Sequence, residues 1–123
     1  MMAHSPMTNL LIDIYNGVRK LGIPTFQKLP DADEPEPFIV LGTHFDDDLP
    51  SGKFGKSVQI TDLQIDMYYP IDSRVALEDE IYQVTQVIKQ STKRATRVTS
   101  NTSQDDSIGR DVYHVVFIVT AYM

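Results

Sequence analysis

The stretch from Ser57 to Pro70, SVQITDLQIDMYYP, constrains the fold of this chain more than any other. From residue 63 onward every second residue points to one side and is apolar: Leu63, Ile65, Met67 and Tyr69. Such alternation, rich in β-branched and aromatic residues, is typical of a strand with one buried face. Val58 and Ile60 alternate on the opposite parity, so the sequence predicts a β-bulge near Thr61–Asp62 in a central strand.

Two segments have the periodicity of amphipathic helices. Between Thr8 and Leu21, and again between Ile71 and Gln90, apolar residues recur at steps of three and four. Ser5 or Thr8 can cap the first helix and Asp72 or Ser73 the second. Gly22 stands where a left-handed residue commonly ends a helix.

Four further segments predict the remaining strands. Ile23–Leu29 lies between two prolines, which favours an edge strand or a docked arm. Phe38–Thr43 is a continuous apolar run, as in a strand buried on both faces. Arg94–Thr102 is a threonine-rich alternating strand, and Asp111–Met123 is a long closing strand. The acidic, proline-rich segment 30–37 and the segment 104–110 are predicted to be a loop and a turn.

Residues 44–56, HFDDDLPSGKFGK, are predicted to be a long loop without regular structure at the tip of a hairpin. Its acidic half contains Asp46, Asp47 and Asp48, and its basic half contains Lys53 and Lys56. Phe45 and Phe54 are the aromatic residues of this loop, and we expect Phe54 to be exposed unless it meets another chain.

The closing strand is apolar on both of its faces. Val115 and Phe117 share one parity, whereas Val116, Ile118 and Tyr122 share the other. The order helix, three strands, helix, two strands predicts an α+β domain with a mostly antiparallel sheet of four or five strands and both helices on one face. A neighbouring subunit would then cover the second apolar face of the sheet.

The composition predicts one globular domain spanning residues 1–123, with residues 1–7 disordered or partly derived from cloning. Cysteine is absent, which excludes disulfides and thiolate chemistry. The net charge of −6 argues against a broad nucleic-acid-binding face. No apolar run approaches the roughly 18 residues of a membrane span, and no membrane association is expected.

The sequence predicts no catalytic residue, no cofactor and no metal site. Asp46–Asp48 could ligate a hard cation but lacks the alternate spacing of a calcium loop, so solvated charge is the preferred interpretation. His44 and His114 could form an acid–base pair, yet a histidine inside an apolar strand is more often hydrogen-bonded structurally. The basic cluster, for which a solvated or interfacial face is the default, contains Lys89, Lys93, Arg94 and Arg97.

Three local strings, in this order and spacing, resemble a known family: GIPTF at 22–26, PFIVLG at 37–42 and LQIDMYYP at 63–70 before a helix. They are similar to the tail-completion proteins of long-tailed bacteriophages, also called tail-terminator or tail-to-head joining proteins. The resemblance spans most of residues 8–123. It implies a structural virion protein, not an enzyme, that forms a ring, typically a hexamer, at the head–tail interface after assembly in the host cytoplasm.

The resemblance also implies the partners. They are other copies of the chain, the phage tail-tube protein and the head-side connector, while DNA passes through the ring without specific binding. Because a ring needs two different contact patches on each subunit, we expect one patch in the loop and one on the last strand. The expected interface residues are Phe45, Asp46, Asp47, Asp48, Lys53, Phe54, Lys56, Val116, Ile118 and Tyr122.

Two alternatives remain open on the sequence. The chain could be a head-completion or connector protein of the same phage region, which a different docking partner would distinguish. It could instead be a host α+β ligand-binding or regulatory domain that dimerises through its sheet, which would show a concave apolar pocket with convergent polar groups. A hydrolase ranks last, because no pair of nucleophile and base can be named.

Overall fold

A computed structural model describes residues 4–50 and 57–123 of the chain. Two helices, α1 (Pro6–Arg19) and α2 (Arg74–Ser91), accompany a five-stranded sheet. The strands are β1 (Thr25–Phe26), β2 (Phe38–Pro50), β3 (Ser57–Pro70), β4 (Ala95–Asp105) and β5 (Val112–Tyr122). The predicted α+β class and the order α-β-β-β-α-β-β are confirmed.

Helix α1 begins two residues before the predicted start, because Ser5 is the residue that caps it. The backbone N–H of Thr8 donates to the Ser5 hydroxyl at 3.1 Å, which satisfies one of the free donors of the first turn. Pro6 occupies the first turn, where its missing N–H is harmless. Segment 5–7, predicted to lie outside the fold, is therefore part of the helix start. Gly22 follows the helix with φ of 78°, the predicted left-handed conformation.

Helix α2 is shorter at its start than predicted, by three residues. Ser73 is its N-cap, but the Ser73 side chain makes no capping hydrogen bond. Arg74 and Glu78, one turn apart, form an exposed ion pair at 2.9 Å on the first turn. The helix ends at Ser91, and the extended residue Thr92 leads directly into β4.

The sheet has the strand order β1-β2-β3-β5-β4. Every pairing is antiparallel except that of β1 with β2, which is parallel and joins Thr25 to Ile39 and Phe26 to Val40. The predicted edge strand between the two prolines is thus confirmed, though it contains only two residues. Strand β3 lies in the centre of the sheet, as its alternation predicted.

The prediction that residues 44–56 form an irregular loop is wrong for the residues that the structure describes. Strand β2 continues through Pro50 and pairs with β3 from its first residue, Ser57. Aspartate and proline disfavour strands when they stand alone, but the ladder to β3 supplies the backbone hydrogen bonds that an isolated segment lacks. The paired segments 44–50 and 57–63 are called the arm below. Residues 51–56 lie outside the described residues.

The bulge predicted near Thr61–Asp62 of β3 lies instead in the neighbouring strand. Strand β3 pairs with β5 without interruption from Ile60 to Pro70. Thr61 is fully buried on the same side as Leu63, so the side chains of β3 alternate between the two faces without a bulge at this point. In β2 the register shifts between Leu41 and His44, where two residues face one residue of β3.

Both helices pack on one face of the sheet, as predicted. The core between them consists mainly of apolar side chains that are fully or nearly buried. Helix α1 contributes Leu10, Ile14 and Val18, helix α2 contributes Leu77, Val84 and Ile88, and the sheet contributes chiefly Ile39, Leu63, Ile65, Met67, Val115, Phe117 and Val119. The helices approach closely at Gly17, where an added Cβ would lie 2.7 Å from the Ser91 Cβ.

Among the described residues, the loop 30–37 covers the opposite face of the sheet at one end. A second small cluster lies there, made of Phe38, Val40, Tyr68 and Val112 with Phe26 and Ile108 packed against it. Arg110 fastens the loop: its guanidinium donates to the Glu36 carboxylate and to the carbonyls of Ala32 and Glu34. This hydrogen bonding raises the pKa of Arg110 above its ordinary value.

Two isoleucines of α1 allow a matched test of this layering. Ile14 is fully buried between α1 and the sheet, whereas Ile12, two residues earlier, is 40% exposed. Ile14→Ala should lower the free energy of unfolding by about 2–5 kcal/mol, through lost burial and an unfilled cavity. Ile12→Ala should change it by less than about 0.5 kcal/mol. Urea denaturation followed by circular dichroism measures both, and equal effects would contradict the assignment of the core face.

Candidate interaction surface

The part of the second sheet face that the loop 30–37 leaves uncovered is called the open face below. Along β5 the burial alternates strictly: Val115, Phe117 and Val119 are buried, whereas Val116 and Ile118 are half-exposed. The neighbouring strands add Asp62 and Gln64 from β3 and Thr99, Asn101 and Ser103 from β4. The open face is therefore a mixed surface with apolar side chains between polar ones.

Four of the predicted interface residues, all of them apolar or aromatic, share this open face. Val116 and Ile118 line a shallow groove with Thr99 and Asn101 of β4. Ile118 also lies beside Phe45 of the arm, which is 71% exposed. Tyr122, which is 48% exposed, pairs in register with Ile60 of β3. The prediction that the apolar surplus of the last strand lies on an uncovered surface agrees with these positions.

The aspartates of the arm are divided between its two faces. Asp47 pairs with Ile60 and so shares the open face, while Asp46 and Asp48 alternate to the other side. The Thr61 hydroxyl donates to the Asp46 carboxylate at 2.5 Å, and His44 contacts the same oxygen at 2.9 Å. These hydrogen bonds, the one from Thr61 above all, lower the pKa of Asp46. The predicted interface residues Lys53, Phe54 and Lys56 lie outside the described residues.

Beside the open face lies a clamp of one histidine between two aspartates. His114 of β5 contacts Asp66 of β3 through Nε2 at 2.7 Å and Asp105 of β4 through Nδ1 at 3.1 Å. Carboxylates only accept hydrogen bonds, so the imidazole satisfies both partners only when each nitrogen carries a proton. The clamp therefore favours the imidazolium form of His114 and ties three adjacent strands together by side chains.

Aromatic rings extend the clamp toward the covered end of this face. The Tyr68 ring stacks on the His114 imidazole with centroids 4.5 Å apart, and the Phe38 ring stacks on Tyr68 at 5.0 Å. Phe26 meets Phe38 edge to face at 6.1 Å. The imidazolium thus lies against a tyrosine ring face, an arrangement that favours a cation. Burial raises the pKa of the Tyr68 phenol, which stays neutral.

The charges of the clamp stabilise one another. The hydrogen bond that His114 donates to Asp66 is the chief cause of the raised pKa of His114, and it outweighs partial burial, which acts in the opposite direction. Hydrogen bonds from Ser107 are the chief cause of the lowered pKa of Asp105, and His114 adds to the effect. Gln64 completes the arrangement by donating to the Asp66 carboxylate at 3.1 Å.

The two histidines considered as an acid–base pair do not meet. His44 contacts Asp46 on its own strand, and His114 contacts Asp66 and Asp105 on the two adjacent strands. The structural interpretation of His114 is confirmed, because both of its ring nitrogens are occupied by aspartates. Asp66 and Asp105 were not predicted as its partners. The sequence feature that could have indicated a partner is Asp66, a charged residue on the polar side of the central strand.

Within residues 4–50 and 57–123, no group of three or more histidine, cysteine or acidic side chains is arranged to hold a metal ion. In the same part of the chain, neither helix is long and apolar enough to cross a membrane.

Comparison with known proteins gives one informative result. No family model matches the sequence, and no curated protein matches it. Among solved structures, the fold matches a chain from the virion of a native gene transfer agent particle, with a TM-score of 0.57 and 10% sequence identity. The match covers 98% of this chain and 100% of that chain. At this identity the likeness shows that the two chains share a fold along their whole length.

The clamp predicts a specific pH dependence of stability. The pKa of His114 is raised above its ordinary 6.5, so the clamp's contribution is complete below pH 6.5 and is lost as the pH rises through the folded-state value. The pKa of Asp105 is lowered from 3.8, so its contribution is present above pH 3.8 and is lost as the pH falls through its folded-state value.

His114→Gln should therefore lower the free energy of unfolding by about 1.5–3 kcal/mol at mildly acid pH, the range for hydrogen bonds to charged groups. The difference from the wild type should shrink as the pH rises into the alkaline range. Urea denaturation across this pH range measures it, with His4→Gln, which alters an exposed histidine before α1, as control. A difference that stays constant with pH would show that His114 is not charged in the folded state.

Proposed function

We propose that this chain is a structural protein of a phage-like virion. In this proposal it forms a ring, with six subunits as the expected number, that caps the tail tube and joins the tail to the head-side connector. The observation that carries the proposal is the fold shared, along the whole of both chains, with a chain from a gene transfer agent virion. The resemblance of the three local strings to tail-completion proteins supports the same assignment.

The surface of the domain supports a role in assembly. The helices hide one face of the sheet, but Phe45, Val116, Ile118 and Tyr122 leave apolar area on the open face. Exposed apolar area rimmed by polar groups is typical of a surface that contacts another protein. In the proposed ring, the open face and the arm contact neighbouring subunits, the tail-tube protein and the connector.

The charge of the chain suits a conduit for DNA. With a net charge of −6, a ring of these subunits repels phosphate groups and does not hold the passing duplex. The proposed role is mechanical and requires no enzyme activity. Within the described residues, the partly buried His114 clamp has its ring nitrogens occupied by carboxylates.

Deletion of the gene in the virus or prophage that encodes it tests this function. We expect electron microscopy to show DNA-filled heads and separate tails of irregular length, because tails that lack a terminator neither stop growing uniformly nor join. A plasmid copy of the wild-type gene should restore joined particles. A copy carrying Ile118→Arg, which places a charge on the open face, should restore at least tenfold fewer, a loss of about 1.4 kcal/mol or more in assembly.

The control for that variant is Val75→Arg, which adds the same charge to an apolar side chain of α2 that is 80% exposed on the helix side of the sheet and should restore normal numbers of particles. Normal particles from the deletion strain would contradict the proposed function. Uniform, capped tails beside heads that have lost their DNA would instead indicate a head-completion protein.

A further inference from the structure

We infer that neighbouring copies of this chain join edge to edge, the acidic outer edge of β2 in one copy pairing with the basic outer edge of β4 in the next. The inference rests on the proposed function, in which copies assemble, and it names the contact between them. It concerns the two edges of the sheet, and not the open face.

Both edges offer backbone hydrogen-bonding groups. Strand β4 is the last strand of the sheet and pairs only with β5. On the other side β1 covers β2 only at Ile39 and Val40, so segment 41–50 has no strand on its outer side within the described part of the chain. Unpaired edges of this length are templates for another strand.

The two edges carry opposite charge at the same end of the sheet. Asp47 pairs with Ile60, Ile60 pairs with Tyr122, and the Tyr122 N–H donates to the Arg94 carbonyl. The acidic run Asp46–Asp48 therefore lies level with Lys93 and Arg94, three strand spacings or about 14 Å across the sheet. Lys93, Arg97 and all three aspartates are exposed, and Arg94 is half-exposed.

The strand directions permit the contact without turning either copy over. From β2 to β4 the sheet alternates direction at each of three antiparallel pairings, so β2 and β4 run in opposite directions. A second copy set beside the first in the same orientation brings its β4 antiparallel to β2 and keeps the helices of both copies on one side. The contact uses two different edges, so it repeats from copy to copy and closes into a ring when the rotation allows.

The charges also select against the competing contact. Two acidic β2 edges repel each other, and so do two basic β4 edges, whereas the mixed pair attracts. Beside the β2 edge lies a cavity of about 500 Å³ lined mainly by apolar side chains, among them Leu11, Ile12 and Tyr15 of α1 and Leu41 of β2. A copy that pairs with this edge also covers that cavity.

Charge reversal in the full chain tests the inference, with mass measured by sedimentation velocity and native mass spectrometry at low salt. The wild type should form oligomers whose fraction falls as salt is added. The acid-reversed variant D47K/D48K and the base-reversed variant K93E/R97E should each be monomeric at the same concentration. D72K/D79K, which reverses two exposed aspartates at the start of α2, is the matched control and should assemble as the wild type does.

Mixing the two reversed variants is the decisive step. Each interface in the mixture can join an acidic edge of one variant to a basic edge of the other, so oligomers should reappear with the two chains in equal number. Oligomers that survive both reversals, or a mixture that stays monomeric, would overturn the edge pairing and leave the proposed function standing. Loss of assembly in D47K/D48K alone would show that the acidic edge meets a surface other than the β4 edge, and would overturn the pairing. A wild type that is monomeric at every concentration would contradict both this inference and the proposed ring.

Discussion

Burial of a single sheet face under two helices is the constraint on which the rest of this domain depends. The stripe of α1 centred on Ile14 and that of α2 centred on Val84 need one apolar surface, and the alternating side chains of β3 and β5 supply it. Both helices of the described residues lie on that side, so neither of them covers the other face. The chain covers one end of that face with a loop and exposes the remainder.

Polar contacts hold the strands and the loop on the second face of the sheet, where only a small apolar cluster lies among the described residues. His114 bonds carboxylates on both neighbouring strands, and Arg110 holds the loop 30–37 through one side chain and two carbonyls. Such charge-assisted hydrogen bonds are directional, so they set strand positions that a few apolar contacts would leave loose. The open face therefore presents its apolar residues on strands whose relative positions these hydrogen bonds fix.

The periodicity of the sequence predicts the helices and the central strand. It does not predict which strands pair or which side chains contact one another. The stripes of α1 and α2 and the alternation from Leu63 identify two helices and a central strand, because each signal is local. The arm was mistaken for a loop, since the ladder that stabilises Asp46–Asp48 comes from a strand beyond the turn. The bulge was assigned to the wrong strand because a threonine, Thr61, fills a buried position. The partners of His114 lie 48 and 9 residues away, beyond any local pattern.

The shift in register at Gly42 separates the two halves of β2. An added Cβ there would lie 2.7 Å from the Gln64 carbonyl oxygen, so the strands approach too closely for a larger residue. Upstream, odd-numbered residues such as Ile39 face the helices, and downstream His44 and Asp46 take that side. Residues 44–48 of the arm are all exposed. Natural variation can therefore rewrite them without displacing any residue of the core, so a lineage can acquire a new binding partner while inheriting the same folded domain.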